Sequence, residues 1–225
     1  MPTNGSKDKE DAMKENLTEL VFIIDKSGSM SGLEADTVGG INTTLEDNRK
    51  EEGEALVSLV FFDNTSTVVI DRQPIDQVAP LTAADYRPSG CTALLDAVGD
   101  AISYHRRVQK ILPESHRAEH MVFVIITDGM ENASKRRTYE EVSKKIKKAR
   151  KRGWEFLFLG ANMDAAAEAA RIGIAQDRAS RYVSDGEGSH IAYEAVSSAT
   201  RQVRSCGAPS KNWAAAPMAD ARRRG

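Results

Sequence analysis

The sequence predicts an α/β protein with a mostly parallel sheet of six strands and helices on both faces. Short apolar runs alternate with longer stretches of helical period, which is the rhythm of β-α-β units. Two of those runs, residues 20–24 and 121–126, are apolar throughout, as in central strands covered on both sides. A chain of 225 residues that is 40% hydrophobic can bury the core of one such domain.

Each element follows in order. Residues 20–24 form the middle strand and end at Asp25. A helix covers 33–49 with Val38, Ile41 and Leu45 on one face, and Glu51-Glu52-Gly53 breaks it. Residues 56–62 are the next strand. Asp63-Asn64-Thr65 is turn chemistry, so 67–70 folds back as an antiparallel edge and the sheet is mixed. Pro74, Pro80 and Pro88 punctuate a long connection through Leu81-Thr82-Ala83-Ala84-Asp85-Tyr86 to Thr92, where a helix begins with Leu95, Val98 and Ile102 facing inward. Residues 121–126 form the second buried strand and lead into Asp128-Gly129. Tyr139, Val142, Ile146 and Ala149 stripe a helix otherwise crowded with Lys and Arg. Residues 154–159 are a strand ended by Gly160, 163–171 an alanine-rich helix, 182–183 a short last strand and 191–203 a last helix. The polar residues 1–18 read as a solvated leader, 19–206 as the folded domain, and the Ala-, Pro-, Ser- and Arg-rich residues 207–225 as an irregular tail.

Composition narrows the function classes. A net charge of -2 argues against a general electrostatic preference for nucleic acid or an anionic membrane surface. No apolar stretch is long enough to span a bilayer. Cys91 and Cys206 are too few for a disulfide framework and the first residues do not resemble a secretory signal, so a cytoplasmic location is expected. On that expectation the sequons at Asn16, Asn42, Asn64 and Asn132 carry no weight. The basic run from Lys135-Arg136-Arg137 to Arg152 reads as a solvated helix face, because its apolar stripe is orderly and no aromatic residues interleave it. His105, His116, His120 and His190 show no ligand spacing and read as surface or loop residues.

The candidate site is a set of oxygens from three segments: Asp25, Ser27 and Ser29 in Asp25-Lys26-Ser27-Gly28-Ser29, Thr92 in Ser89-Gly90-Cys91-Thr92, and Asp128 in Thr127-Asp128-Gly129. Both aspartates end predicted parallel strands, where open α/β sheets place their ligands. Alternate residues of an extended loop can turn to one point, and Gly28 permits a tight path. Hard oxygens with no His or Cys ligand pattern point to Mg2+, with Mn2+ as the other choice. Hydroxyls are neutral, so such an ion keeps much of its charge and an open position for an incoming carboxylate. Alone, Asp-x-Ser-x-Ser or Asp-Gly reads as a turn and Thr92 as a helix cap; it is their combination that makes a site. Glu131 and Asp96 read as first-turn helix acids favoured by the dipole.

These residues resemble the metal-ion-dependent adhesion site (MIDAS) of von Willebrand factor type A domains: Asp-x-Ser-x-Ser, a distal Thr and a distal Asp, all filled here. The resemblance covers about residues 20–203. It implies a doubly wound, Rossmann-like fold with the ion at the top of the sheet and one antiparallel edge strand. It further implies direct ligation by Ser27, Ser29 and Thr92, with Asp25 and Asp128 acting directly or through water, and coordination completed by an Asp or Glu of a partner protein. Ile125-Ile126-Thr127-Asp128-Gly129-Met130-Glu131-Asn132 and the stretch from Trp154 to Asn162 look like the small stand-alone bacterial and phage members. Cys91 departs from the Gly or Ser that is commoner before the threonine, and brings a thiol next to the ion.

Function is therefore expected to be metal-dependent protein binding without catalysis. One alternative is a Mg2+-dependent phosphate-ester hydrolase. Against it, Ser27 stands where a covalent aspartyl-phosphate enzyme of similar topology would place its general acid, and neither a phosphate-binding P-loop nor a Gly-x-Ser-x-Gly elbow is present. The other alternative is a structural subunit with a vestigial site that acts through the basic helix and tail.

Overall fold

A computed structural model describes residues 17–161 and 163–224, so residues 1–16 of the expected leader and Asn162 lie outside the described residues. The end of that leader is part of the fold: Leu17 is buried, and Thr18 opens the first strand with no exposure at all. Six strands, β1 (Thr18–Asp25), β2 (Ala55–Phe62), β3 (Ser66–Pro74), β4 (His120–Thr127), β5 (Glu155–Ala161) and β6 (Ala179–Tyr182), form one sheet in the order β3-β2-β1-β4-β5-β6. Only β3 runs antiparallel, against β2; every other pairing is parallel. The chain thus winds outward from β1 in one direction and, from β4, in the other. This is a doubly wound α/β fold whose winding reverses between β1 and β4.

The continuous apolar runs are explained by burial on both faces. Along β1, Leu20, Phe22 and Ile24 join one core layer while Val21 and Ile23 join the other. Strand β4 splits in the same way, Val122, Val124 and Ile126 against Met121, Phe123 and Ile125. The first layer is covered by α1 (Glu34–Arg49) and α5 (Gly186–Cys206), the second by α2 (Leu94–Ile111), α3 (Tyr139–Arg150) and α4 (Ala165–Arg171). Helices α1 and α5 approach so closely that a Cβ on Gly40 would lie 2.3 Å from the Tyr193 ring. Glycine is required there by space.

Several expectations are corrected. Gly160 does not end β5, which continues to Ala161; the glycine instead makes room for the turn into α4, where a Cβ would meet Met163 and Ala165 at about 3 Å. Helix α4 starts two residues later than its composition suggests, because the Asp164 side chain caps it by accepting from the Ala167 N–H. The last strand lies earlier, at Ala179–Tyr182, and is a short strand at the sheet edge. Helix α5 starts at Gly186, where the Asp185 carboxylate accepts from the Gly188 N–H at 2.7 Å.

The C-terminal tail is irregular only over residues 207–214. Residues Ala215–Arg224 form a sixth helix, α6. Its anchors are few but buried: Trp213, whose indole N–H donates to the Asp177 carbonyl at 2.9 Å, together with Ala214, Pro217 and Ala221. Asp220 accepts from Arg223 and Arg224, and Arg224 also reaches Asp185 at 2.7 Å, which ties the helix to the start of α5. A basic, proline-containing stretch shows no long apolar stripe, so this clasp is invisible to periodicity.

His105 is also corrected: it is buried on α2, edge-on to Phe123 at 5.5 Å and to Tyr104 at 5.1 Å. Behind it Glu19, wholly buried on β1, accepts from Arg72 and from Gln109. Burial alone would raise the Glu19 pKa, but His105 and Arg72 outweigh it and hold the carboxyl below its ordinary value. His116 and His190 are exposed and His120 is partly buried. Among the described residues, no helix is long and apolar enough to cross a membrane.

Candidate metal centre

The site lies where the winding reverses, beyond the carboxyl ends of β1 and β4. Register sets its first distance. Ile24 pairs with Ile126, which brings Asp25 and Thr127 side by side, and the Thr127 hydroxyl donates to Asp25 Oδ2 at 2.5 Å. The other carboxylate oxygen, Oδ1, accepts from the Ser27 N–H at 2.7 Å. After Ser27 the chain makes one 3-10 turn, Gly28–Met30, pinned by the buried Met30. This turn brings Ser29 Oγ to 3.1 Å from Ser27 Oγ and 2.6 Å from Asp128 Oδ1.

Thr92 reaches the same place from the second loop. A Cβ on Gly129 would meet Thr92 Oγ1 at 2.9 Å, Ser29 Oγ at 3.4 Å and Asp25 Oδ2 at 3.9 Å, so oxygens from all three segments enclose one small volume that a glycine leaves open. All five sequence-predicted residues are therefore brought together. Asp25, Ser27, Thr92 and Asp128 are buried, and Ser29 is exposed at the mouth.

The loops are held by residues that the sequence reading did not assign. Tyr86, buried and edge-on to Phe61, donates its hydroxyl to the Asp25 carbonyl. Asn64 accepts from the Cys91 N–H, and Gly90 adopts φ 72° above it, where a Cβ would lie 2.8 Å from Asn64 Oδ1. The first two loops bond directly, through Gly28 N–H to the Gly90 carbonyl and Ser89 N–H to the Lys26 carbonyl. Lys26 itself pairs with Asp63 at 2.5 Å.

Helix α2 has no capping side chain of its own; Thr92 is not its cap. The loop after Asp128 supplies the partners: Glu131 accepts from the Leu95 N–H, Ser134 Oγ from Asp96 N–H, and Asn132 Oδ1 from Thr92 N–H. Glu131 is therefore not a first-turn acid of the following helix, as expected from sequence, but serves the positive end of α2 from outside. Asp96 does lie in the first turn of α2, and it accepts from the backbone of Lys135 and Arg136. No local spacing signals this crossing of two loops.

The electrostatics favour a cation. Burial raises the Asp25 pKa to about 6 against the hydrogen bonds from Thr127 and Ser27, and the Asp128 charge adds to the rise. Burial likewise raises Asp128, opposed by the Ser29 hydroxyl. Two acids facing one space are relieved by a positive ion. Among the described residues, no group of three or more His, Cys, Asp or Glu could hold a metal, so an ion here depends on hydroxyls. The residues fit a small hard dication with neutral and anionic oxygen donors.

Comparison with known proteins places the fold in a family. A profile of the von Willebrand factor type A domain matches residues 19–192. No curated protein sequence matches significantly. Among solved structures, proximal thread matrix protein 1 from the mussel byssus, with a zinc occupied MIDAS motif, superposes with a TM-score of 0.56 at 17% identity, over 80% of this chain and 44% of that one. The pilus adhesin SpaC of Lactobacillus rhamnosus GG gives 0.59 at 12% identity, over 80% and 29%. The vWF domain of the type V pili tip protein Mfa5 from Porphyromonas gingivalis gives 0.56 at 11% identity, over 80% and 93%. The chain spans less than half the length of the mussel protein, and at these identities the likeness is one of fold. With the profile covering most of its length, this chain belongs to the von Willebrand factor type A domain family.

Proposed function

We propose that this chain is a divalent-cation-dependent protein-binding module, in which Mg2+ held by Ser27, Ser29 and Thr92 with Asp25 and Asp128 is completed by an Asp or Glu of a partner protein. The observation that carries the reading is the convergence of Thr92, Ser29 and Asp25 oxygens on the space over Gly129. A bound ion would supply a Lewis-acidic position for a carboxylate oxygen. The chain's own residues do the rest. Thr127 and the Ser27 N–H fix the Asp25 carboxylate, Asp128 orients the Ser29 hydroxyl, and Asn132 and Asn64 hold the second loop. The exposed Ser29 and Met130 mark the face a partner would meet. A cytoplasmic location belongs to the same proposal, supported by the exposed, unpaired thiols of Cys91 and Cys206.

Calorimetric titration with Mg2+ and Mn2+ tests the site, and capture of partners from a lysate with and without chelator tests its use. Saturable cation binding, with capture abolished by chelator and by Asp25→Ala, is expected. Capture indifferent to both removes the reading. Magnesium-dependent turnover of a phosphate ester that is lost in Asp25→Asn replaces it with the hydrolase.

A further inference from the structure

A second site stands at the other end of the sheet. Between α2 and α3 lies a pocket of about 240 Å3, lined by Arg106 of α2 and by Lys144, Lys145, Lys148 and Arg152 of α3 and the turn after it. Its floor includes Trp154, which precedes β5, whereas the metal loops follow β1 and β4. The two sites are therefore at opposite ends of the strands. Lys144 and Lys148 are one turn apart on α3, so successive turns present cations to the same groove. None of the residues lining the pocket is an Asp or Glu.

Acids near the recess offset only part of this charge: Glu140 and Glu141 act on Lys144, and Asp100 and Glu141 on Lys145. Lys144 pairs with Glu140 at 2.6 Å on an exposed surface, but among the described residues Arg106, Lys148 and Arg152 form no ion pair. Lys145 donates to a neutral partner, Ser103 Oγ, at 2.7 Å. Burial, together with the nearby Arg137 and Arg106, holds its ammonium below its ordinary pKa. Like charges gathered in a recess are unfavourable alone and are relieved by an anion that touches several of them at once. Arginine forks and lysine ammonium groups are the side chains that hold phosphate oxygens.

Size and lining narrow the anion. The volume falls below the roughly 300 Å3 at which pockets for drug-sized ligands begin, yet the cations span two helices. That suits a short, multiply charged chain. Stacking on exposed aromatic rings, which single-stranded nucleic acid requires, is not offered, because Trp154 is buried against Phe123 with ring centroids 5.4 Å apart. We propose that this recess binds a short chain of linked phosphates, either inorganic or carried by a nucleotide. The inference does not rest on the metal centre.

Titration calorimetry of the full chain with orthophosphate, pyrophosphate and tripolyphosphate, without divalent cation, tests it. Affinity is expected to rise along that series, to weaken with added salt, and to fall about tenfold for each of Arg106→Ala, Lys148→Ala and Arg152→Ala. All three side chains are exposed, so unchanged melting temperatures are expected to accompany the losses. ATP measured in parallel separates the sources: binding tighter than tripolyphosphate assigns the chain to a nucleotide, and equal or weaker binding to an inorganic phosphate. Asp128→Ala should bind tripolyphosphate as the parent does. The proposal is overturned if tripolyphosphate does not bind, if the triple alanine variant binds it equally well, or if a single-stranded oligonucleotide binds and tripolyphosphate does not.

Discussion

Ser29 Oγ donates to Asp128 Oδ1 across 2.6 Å, although 99 residues separate the two in the chain. The hydroxyl proton is committed to the carboxylate, which leaves the serine lone pairs for a positive centre. The bond also makes the third loop a determinant of how the first presents its oxygens.

Removing a ligand and removing its support should therefore weaken cation binding to comparable degrees. Ser29→Ala deletes a donor. Thr127→Val keeps all five donors but frees Asp25 Oδ2, and losses of support of this kind lower metal affinity about 10- to 100-fold. Calorimetric titration with Mg2+ measures both. A Thr127→Val protein that binds as the parent does would show that Asp25 needs no positioning.

The cation-free protein should lose stability as pH rises through the weakly acidic range. The Asp25 pKa is raised from 3.8 unfolded to about 6 folded, so well below 3.8 the group is protonated in both states and contributes nothing. Above about 6 the folded state carries the full penalty of a buried carboxylate, about 3 kcal/mol at most. Urea unfolding between these limits should show this slope without Mg2+, a smaller slope in saturating Mg2+, and little of it in Asp25→Asn. A stability that instead rises over the window in the absence of cation would contradict the assignment.

Helices α1 and α5 should not tolerate a methyl group between them. Gly40→Ala places a Cβ against the Tyr193 ring, and overpacking of this kind destabilises by about 1–3 kcal/mol, more than the helix propensity gained. In a Tyr193→Ala background the same change should be far cheaper. Thermal melts of the two single variants and the double variant give the coupling directly.

The last helix should be part of the folded unit. Trp213→Ala removes a buried indole and its bond to the Asp177 carbonyl, at a cost of about 3 kcal/mol or more. Deleting residues 207–225 should lower the melting temperature at least as far. A truncated protein as stable as the parent would return this segment to the status of an appendage.

The central strands and the five candidate ligands are legible in the sequence because most of them are written locally. An apolar run that is buried on both faces needs no partner to be recognised, and Asp25, Ser27 and Ser29 declare themselves by spacing within one loop. Thr92 and Asp128 are legible by position after the connection and the second apolar run. The supports are not. Tyr86, Asn64, Asn132 and Glu131 act across 27 to 61 residues through single hydrogen bonds, and an isolated Tyr, Asn or Glu in a loop carries no mark of such a partner. His105 misleads for a related reason: it lacks ligand spacing, but its burial is decided by Phe123, which only the packing of α2 on the sheet brings beside it. Helix α6 escapes because charge pairing to Asp220 and one tryptophan replace the stripe that periodicity detects.

The phenol of Tyr86 joins the proline-punctuated connection to the main chain at the very end of β1, while Asn42 on α1 grips the same connection at Leu81 through two bonds. That stretch is consequently a brace strung between a helix and the carbonyl of Asp25. Whatever displaces the tip of the first loop will tug on α1 through it, so slowed deuterium uptake at the one should be mirrored at the other.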